Sequence, residues 1–376
     1  MNYAKLIFSN TLIILIFLTL LCSSAIAGKT RIITDAAGRQ VEIPSKVERV
    51  ICSGPGCLRY LTYLQSQDMA VAVDDIEIRR NEFDARPYAL ANPQFKKLPL
   101  FGEFRGHDNP ELILSLEPQP QLIFKTYANM GYNPDELQAK TGIPVVVLKY
   151  ASLDSGKKKV FDSLKLMGSI IGKDKRAAEV CDFMDRCISE LDNLTSNIPN
   201  SQKKSCYVGG IASKGPHGLQ STEPGYPPFL FVHALNVARP ANSDSKPLNH
   251  TNVSKEQIVA WNPDYIFVDL STCQLGEGSG ALYELQTEEA YKGLKAVQED
   301  HIYGLLPYNW YSRNFGSILA DAYFIGKILY PEKFKSIEPT AKADEIYSFL
   351  VGFPAYKTMN KEFQNRAFSK ISLENK

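Results

Sequence analysis

The same short pattern occurs once in each half of this chain, and it constrains the fold more than any other feature. The first copy runs Glu111-Leu-Ile-Leu-Ser-Leu-Glu-Pro118 and leads into an apolar run at 122–124; the second runs Glu256-Gln-Ile-Val-Ala-Trp-Asn-Pro263 and leads into 265–267. Each copy predicts a short helix that begins near a glutamate, ends before a proline and precedes a buried strand. A repeat at this long period indicates two similar α/β lobes, because solenoid units recur about every 20–50 residues.

The first 27 residues have the features of an export signal. Lys5 supplies positive charge, residues 11–21 are apolar, and Ala25-Ile-Ala27 is a small-x-small cleavage site. The apolar run is shorter than the roughly 20 residues that a membrane-spanning helix needs. Acylation at Cys22 is the alternative, but the two leucines before it are a poor match to a lipoprotein signal. We therefore expect cleavage after Ala27 and an exported, soluble product.

The composition excludes several classes of partner. The formal net charge is +1, with 44% hydrophobic and 22% charged residues, as in an ordinary globular protein. No block of like charges occurs, so nucleic acid and anionic membrane surfaces are not expected as partners. A mature length of about 350 residues favours two domains.

The cysteines and histidines show no metal-site or redox spacing. No C-x-x-C motif occurs, which argues against a thioredoxin-like or cysteine-rich zinc site. The histidines are scattered, so the sequence predicts neither a bare metal ion nor a resident cofactor. Buried free thiols and one or two disulfides are both compatible with the six cysteines after the cleavage site, which are Cys52, Cys57, Cys181, Cys187, Cys206 and Cys273.

Apolar runs alternate with helical segments in both halves, which predicts parallel sheets flanked by helices. From Asp174 to about Leu194 an apolar stripe at helical spacing predicts a helix on the order of 30 Å long, a rigid spine between the lobes. We expect an N-terminal α/β lobe over 28–155, a spine region over 156–202, and a C-terminal α/β lobe with a helical tail over 203–376. The runs predicted as strands are 47–51, 70–73, 121–125, 145–148, 205–208, 265–269 and 302–305.

Four motifs, taken in order, resemble one protein family. They are Val50-Ile-Cys-Ser-Gly-Pro-Gly56, Asn109-Pro-Glu-Leu-Ile-Leu-Ser-Leu-Glu-Pro118, Val253-Ser-Lys-Glu-Gln-Ile-Val-Ala-Trp-Asn-Pro-Asp-Tyr-Ile266 and Asn309-Trp-Tyr-Ser-Arg313. They resemble the periplasmic substrate-binding proteins of ABC importers for iron-siderophores, haem and vitamin B12. The resemblance implies two α/β lobes joined by one long helix, a ligand in the cleft between them, and a monomeric, non-enzymatic protein in the periplasm or at the outer face of the cytoplasmic membrane.

The same resemblance implies that Glu111 and Glu256 are docking carboxylates, one on each lobe, which meet arginines of the membrane permease. A purely structural alternative exists, since both lie in a first helical turn, where the helix dipole favours a carboxylate. Asn109 and Ser254 are suitable N-caps for those helices. The matched occurrence in both lobes favours the docking role.

Residues in the first lobe are expected to contact the ligand from loops that follow strands. Gly54 and Gly56 allow a close backbone approach, and Arg59 is suited to a carboxylate or phosphate. A plain tight turn, with Arg59 on a solvated helix face, is the alternative. Tyr127 lies in a second loop of this lobe and is a further candidate.

The second lobe contributes an aromatic patch and a glycine-rich loop. Trp310, Tyr311 and Arg313 suit planar macrocycles, catecholates and acidic groups, although packing against the following helix would also explain them. His217 is a possible axial metal ligand, but a single histidine in such a loop is usually a hydrogen-bonding group.

The expected ligand is a metal chelate. Iron-siderophores and corrinoids are the main candidates, haem is next, and a nickel or cobalt chelate is an alternative. The alternative from another class is an exported enzyme with the related fold of nitrogenase-like and chelatase proteins. The absence of G-x-S-x-G, G-x-G-x-x-G and H-E-x-x-H motifs argues against an enzyme.

Overall fold

The structure is a computed structural model that describes residues 29–79, 82–240 and 250–373. The expected export signal at 1–27 and the alternative acylation site at Cys22 lie outside the described residues. Within the described ranges, no helix combines the length and apolarity needed to cross a bilayer.

The N-terminal half is built on a six-stranded sheet in the spatial order β6-β5-β4-β3-β7-β8. Every pair in it is parallel except β5 and β6. A separate antiparallel hairpin, β1 with β2, precedes it. The strands are β1 (Thr30–Thr34), β2 (Gln40–Pro44), β3 (Val50–Ser53), β4 (Ala70–Asp74), β5 (Leu100–Glu103), β6 (His107–Asp108), β7 (Leu122–Lys125) and β8 (Val145–Val147).

The central strands β3 and β7 are buried along their whole length, as expected for a parallel sheet covered on both faces. Short helices and two 3-10 turns (Gln67–Met69 and Pro93–Lys97) connect the strands. The helices are α1 (Cys57–Tyr63), α2 (Ile76–Arg79), α3 (Pro87–Leu90), α4 (Pro110–Ser115) and α5 (Pro134–Thr141).

Two long helices connect the halves. The first, α6 (Lys157–Ile171), ends at Gly172, whose φ of 71° is the left-handed geometry that commonly ends a helix. The second, α7 (Asp174–Thr195), confirms the helix predicted from Asp174; its 22 residues span about 33 Å. Its apolar stripe is buried, and it packs against α6 and against a helix of the C-terminal half.

The C-terminal half contains a four-stranded, fully parallel sheet in the order β11-β9-β13-β14. Two small antiparallel pairs, β10 with β12 and β15 with β16, lie outside it. The strands are β9 (Ser205–Gly209), β10 (Ser221–Thr222), β11 (Leu235–Asn236), β12 (Thr251–Asn252), β13 (Tyr265–Asp269), β14 (Ile302–Leu305), β15 (Asn309–Trp310) and β16 (Ser312–Arg313).

The helices of this half cover the sheet, and 3-10 turns occur at Asn200–Gln202 and Leu270–Leu275. They are α8 (Pro227–Phe231), α9 (Lys255–Trp261), α10 (Ala281–Thr287), α11 (Glu289–Lys292), α12 (Lys295–Gln298) and α13 (Phe315–Leu329). Nearly all of α13 is buried, and it packs on α7 and α8. The architecture confirms the predicted fold class of two parallel-sheet α/β lobes joined by a long spine helix.

The segment after α13 packs against both halves. Its helices α14 (Pro339–Val351) and α15 (Tyr356–Glu362) follow one another, and α14 packs on α13 and on α1 and α3 of the N-terminal half. The amide of Phe83 donates to Glu362 (2.9 Å). The chain then returns to β14, where the amides of Phe368 and Ile371 donate to the carbonyls of Gly304 (2.9 Å) and Ile302 (2.8 Å). The tail is therefore part of the folded core.

The contact between the tail and β14 depends on the absence of a side chain at Gly304. A Cβ added there would lie 2.2 Å from the carbonyl oxygen of Arg366, so we expect Gly304→Ala to lower the free energy of unfolding by about 2 kcal/mol. Gly293→Ala is the matched control, because a Cβ there meets no atom within 4 Å. Urea unfolding measures both; equal stability of the two variants would contradict the described tail contact.

Candidate functional site

The strand-end loops of the two sheets meet between the halves, at the position where open α/β sheets bind ligands. The loop 54–56 follows β3, Tyr127 follows β7, and the hairpin 309–313 follows β14. Contacts cross from one half to the other here: the backbone amide of Arg313 donates to the hydroxyl of Tyr150 (2.9 Å). The cleft is therefore closed by direct bonds between the lobes.

Two glycines shape the loop after β3. Gly54 has a φ of 83°, and a Cβ there would lie 2.7 Å from Oγ1 of Thr126, so only glycine allows the loop to pack on the next strand end. Gly56, with a φ of 75°, begins α1; a Cβ there would lie 3.0 Å from Nη2 of Arg59 and 3.3 Å from the ring of Tyr150. This close approach brings the guanidinium of Arg59 next to Tyr150.

Arg59 is a buried cation with no ion-pair partner in the described chain. Burial raises the pKa of the neighbouring Tyr60 hydroxyl, and the charge of Arg59 acts in the opposite direction. Arg59 is 1% exposed, which rules out the alternative of a solvated helix face. Within the described chain its three guanidinium nitrogens have no well-formed hydrogen bond. The guanidinium carbon lies 3.9 Å from the ring centre of Phe315, 4.9 Å from that of Tyr60 and 5.8 Å from that of Tyr63. Aromatic rings offset only part of the free energy of burying a charge, so this group is suited to receiving an anion.

Two tyrosines and two more arginines belong to the same strand-end loops of the cleft. The rings of Tyr127 and Tyr150 are 4.6 Å apart between centres. Burial and Tyr150 raise the pKa of Tyr127, while the positive charges of Arg313 and Arg105 act in the opposite direction. We call this group the arginine–tyrosine cluster; its members are Arg59, Arg105, Tyr127, Tyr150 and Arg313.

The hairpin 309–313 links the lobes through Tyr311. This residue is at the hairpin tip with a φ of 57°, a left-handed conformation that is strained for a tyrosine. Its hydroxyl donates to the carboxylate of Asp74 at the end of β4. Burial, together with the charge of Glu77, raises the pKa of Asp74 to about 8. Tyr311, expected to contact the ligand, thus has its hydroxyl engaged in a bond between the lobes.

The aromatic patch is mostly packed inside the protein. Trp310 is 5% exposed and belongs to the main core, so its contact with a ligand stays a prediction beside the packing alternative. Tyr308 is also buried, 5.8 Å from the ring of Tyr226, and its hydroxyl donates to Glu223.

His217 has local partners. Its Nε2 lies 2.8 Å from the carbonyl oxygen of Ser213, and its ring is 5.7 Å from that of His250. In the described ranges, no group of three histidine, cysteine or acidic residues is arranged to hold a metal ion. All six cysteines that the structure describes are free thiols, and only Cys273 is not fully buried.

The two predicted docking glutamates are exposed, each in the first turn of its helix. The side chain of Asn109 accepts from the amides of Glu111 (3.0 Å) and Leu112 (3.1 Å). Ser254 caps α9 by accepting from the amide of Gln257 (3.1 Å). Neither glutamate forms an ion pair with another described residue, so both carboxylates are available to a partner.

Sequence reasoning named Arg59, Tyr127 and Arg313 but missed two cluster members, Arg105 and Tyr150. Both follow the carboxyl end of a strand of the first sheet, β5 for Arg105 and β8 for Tyr150. That position was the available signal, since strand-end loops are where such folds bind ligands.

Comparison with known proteins gives a match to a family over residues 87–308, described as periplasmic binding protein. The iron-uptake system-binding protein of Bacillus subtilis is 23% identical over 199 residues, which span 52% of this chain and 57% of that protein. The molybdate-binding protein MolA of Haemophilus influenzae is 22% identical over 366 residues, 90% of this chain and 95% of that one.

Solved structures share the fold. MolA bound to molybdate superimposes with a TM-score of 0.64 at 17% identity, covering 86% of this chain and 98% of that chain. The TroA-like periplasmic binding protein FepB from Veillonella parvula gives a TM-score of 0.63 at 19% identity, covering 86% and 96%. At these identities the likeness establishes the architecture.

Buried carboxyls in the cleft predict a pH dependence of stability. Burial raises the pKa of Asp74 and of Glu223 to about 8. Between about pH 4 and pH 8, each carboxyl is protonated to a greater extent in the folded protein than in the unfolded chain. Its contribution to stability is therefore full below about pH 4 and is lost as the pH rises to about 8. The double variant Asp74→Asn/Glu223→Gln cannot titrate there. We expect its free energy of unfolding to change less between about pH 5 and pH 8.5 than that of the parent; identical pH profiles in urea unfolding would contradict this assignment.

Proposed function

The chain belongs to the periplasmic binding protein family, and from that premise we propose that it captures an anionic metal chelate between its lobes and delivers it to an ABC importer. The observation that carries this proposal is the buried guanidinium of Arg59, which has no ion pair and no well-formed hydrogen bond within the described chain. In this proposal the mature protein is an exported monomer, cleaved after Ala27, that binds its ligand without transforming it.

The arginine–tyrosine cluster suits an oxygen-rich anion. Arg59 and Arg105 belong to the first lobe and Arg313 to the second, so a ligand between them would neutralise cations from both sides of the cleft. Guanidinium groups bind carboxylates, phosphates and similar oxyanions with paired hydrogen bonds. Ferric complexes of catecholates and hydroxycarboxylates present such oxygens and carry net negative charge.

The packing of the second lobe favours a siderophore-type chelate over a corrinoid or haem. A flat macrocycle needs an open aromatic face, whereas Trp310 and Tyr308 are buried. The name of the Bacillus subtilis relative, an iron-uptake system-binding protein, supports iron as the metal.

A small oxyanion such as molybdate is the second candidate. MolA is matched along 95% of its length, more than the iron-uptake relative. Arginines and hydroxyl donors are suited to a tetrahedral oxyanion as well as to a chelate.

A titration separates the two candidates. The protein is titrated with molybdate, ferric citrate, a ferric catecholate and a ferric hydroxamate, and binding is followed by intrinsic fluorescence and calorimetry. If the protein binds cobalamin or haem but none of these four ligands, the proposed ligand class is contradicted.

Replacing Arg59 by methionine tests the anion site. We expect the affinity for the tightest of these ligands to fall at least about tenfold, since the only fully buried cation of the cluster is lost. The free energy of unfolding should stay unchanged or rise by up to about 4 kcal/mol, because a buried charge without an anion is replaced by an apolar chain. Calorimetry and urea unfolding measure the two quantities.

Arg186→Met is the matched control for this experiment, because Arg186 is exposed on α7. It should change neither affinity nor stability appreciably. A stability loss in Arg59→Met with undiminished affinity would show that Arg59 is a packing residue and would remove the main support for the anion site.

The docking role is tested by the double variant Glu111→Gln/Glu256→Gln. We expect ligand affinity to be unchanged, because both carboxylates are exposed and outside the cleft cluster. Uptake through the importer should be lost, since the proposed ion pairs with the permease cannot form. Normal uptake by the double variant would leave only the helix-start role for both glutamates.

A further inference from the structure

The exposed apolar side chains of this protein are concentrated at the two docking helices. Among the residues that the structure describes, eight large apolar side chains are exposed. Half of these lie on or beside the two helices that carry Glu111 and Glu256. Leu112 and Leu114 are on α4, Val259 is on α9, and Leu100 is on β5 beside α4. Single exposed apolar side chains are ordinary on any protein, but this concentration on two short helices needs an explanation.

The two helices expose an apolar side chain at the same place. Leu114 is 50% exposed and follows Glu111 by three residues; Val259 is 40% exposed and follows Glu256 by three residues. Residues three apart lie on one face of a helix, so each glutamate shares its face with an apolar neighbour. The preceding residues, Ile113 and Ile258, are fully buried and anchor the helices. Packing within each lobe therefore does not require Leu114 or Val259.

A groove extends this surface on the first lobe. It has a volume of about 720 Å³ and is lined by Glu111, Leu100, Leu112 and Leu114, with Tyr132 among its other lining residues. The groove also contains charges of both signs, including Arg79 and Lys140. Its apolar part beside Glu111 is suited to a partner segment that carries a cation next to an apolar side chain.

We propose that Leu114 and Val259 are the apolar half of a two-part docking contact, in which each glutamate binds a cation of the importer's permease and its neighbour enters an apolar recess beside that cation. This inference rests on the proposed function, and its occupant is the membrane permease of an ABC importer. The permease must then present two such sites, each with a cation beside an apolar recess. The distance between the two sites must match the distance between α4 and α9.

A second copy of this chain fits the surface less well. Pairing these faces between two copies would bring the glutamates of one copy towards those of the other, and facing like charges disfavour association. The carboxylate of Glu256 is ionised at neutral pH, since its own amide and the hydroxyl of Ser254 lower its pKa. Charge complementarity therefore points to a partner with basic groups.

The two halves of the contact have different physical signatures. Attraction between exposed charges is screened by salt, with a Debye length near 10 Å at 0.1 M and about 3 Å at 1 M. Burial of apolar surface is not weakened in this way. The apolar pair would therefore supply the part of the docking affinity that persists at high salt.

The test measures binding of the ligand-free mature protein to its importer, reconstituted in lipid nanodiscs, at about 50 mM and about 500 mM KCl. We expect Leu114→Gln/Val259→Gln to weaken binding by about tenfold or more at both salt concentrations. Glu111→Gln/Glu256→Gln should weaken it mainly at the lower one. The matched control is Ile32→Gln/Leu235→Gln, two side chains that are 70% and 48% exposed on β1 and β11. It should bind within about twofold of the parent.

Each result decides between specific interpretations. Parent-like binding by Leu114→Gln/Val259→Gln, with loss in the glutamate variant, overturns the apolar contact and leaves the docking glutamates in place. Parent-like binding by both variants contradicts docking through these helices altogether. A parent dimer that the apolar variant converts to a monomer, seen by light scattering, assigns the surface to a second copy instead. If circular dichroism shows that Leu114→Gln/Val259→Gln has lost helix, the same binding measurement is made with Leu114→Ala/Val259→Ala.

Discussion

The buried charge of Arg59, which has no ion pair in the described chain, is the strongest physical constraint in the cleft. The left-handed turn at Gly56 leaves room for the guanidinium, Tyr150 lies beside it, and Phe315 of the other lobe covers it. A buried charge of this kind is unfavourable by several kcal/mol unless something compensates it. Under the proposed function, an anion that binds there supplies the missing compensation, so one residue would account for both anion selection and a gain in stability on binding.

The lobes are held together by more than the spine. The bond from Tyr311 to Asp74, the bond from Arg313 to Tyr150, and the packing of α14 on both halves all join the lobes away from α7. Under the proposed function, these contacts favour ligand entry by local rearrangement of the hairpin 309–313 over a wide hinge opening. The left-handed conformation of Tyr311 marks this hairpin as the strained element of the site.

The sequence predicted the parts of this fold that have a strong local period. The helix from Asp174 was visible because its apolar stripe runs for several turns, and the strand runs at 265–269 and 302–305 coincide with β13 and β14. The inward orientation of Trp310 was not predictable, because a two-residue strand has no period that tells which face is buried. Arg105 and Tyr150 escaped notice because only the meeting of distant loops gives them a common site, and the burial of Arg59 is likewise a property of tertiary structure.

The return of residues 367–371 to β14 has a consequence for biogenesis. β14 is the edge strand of the second sheet, and the bonds to it come from a segment that follows every other described element along the chain. An exported polypeptide that emerges amino-terminus first can close that edge, and seat α14 across both lobes, only after this segment has crossed the membrane. Until then the edge of β14 would remain unpaired, and the contacts that this segment and α14 make between the lobes could not form.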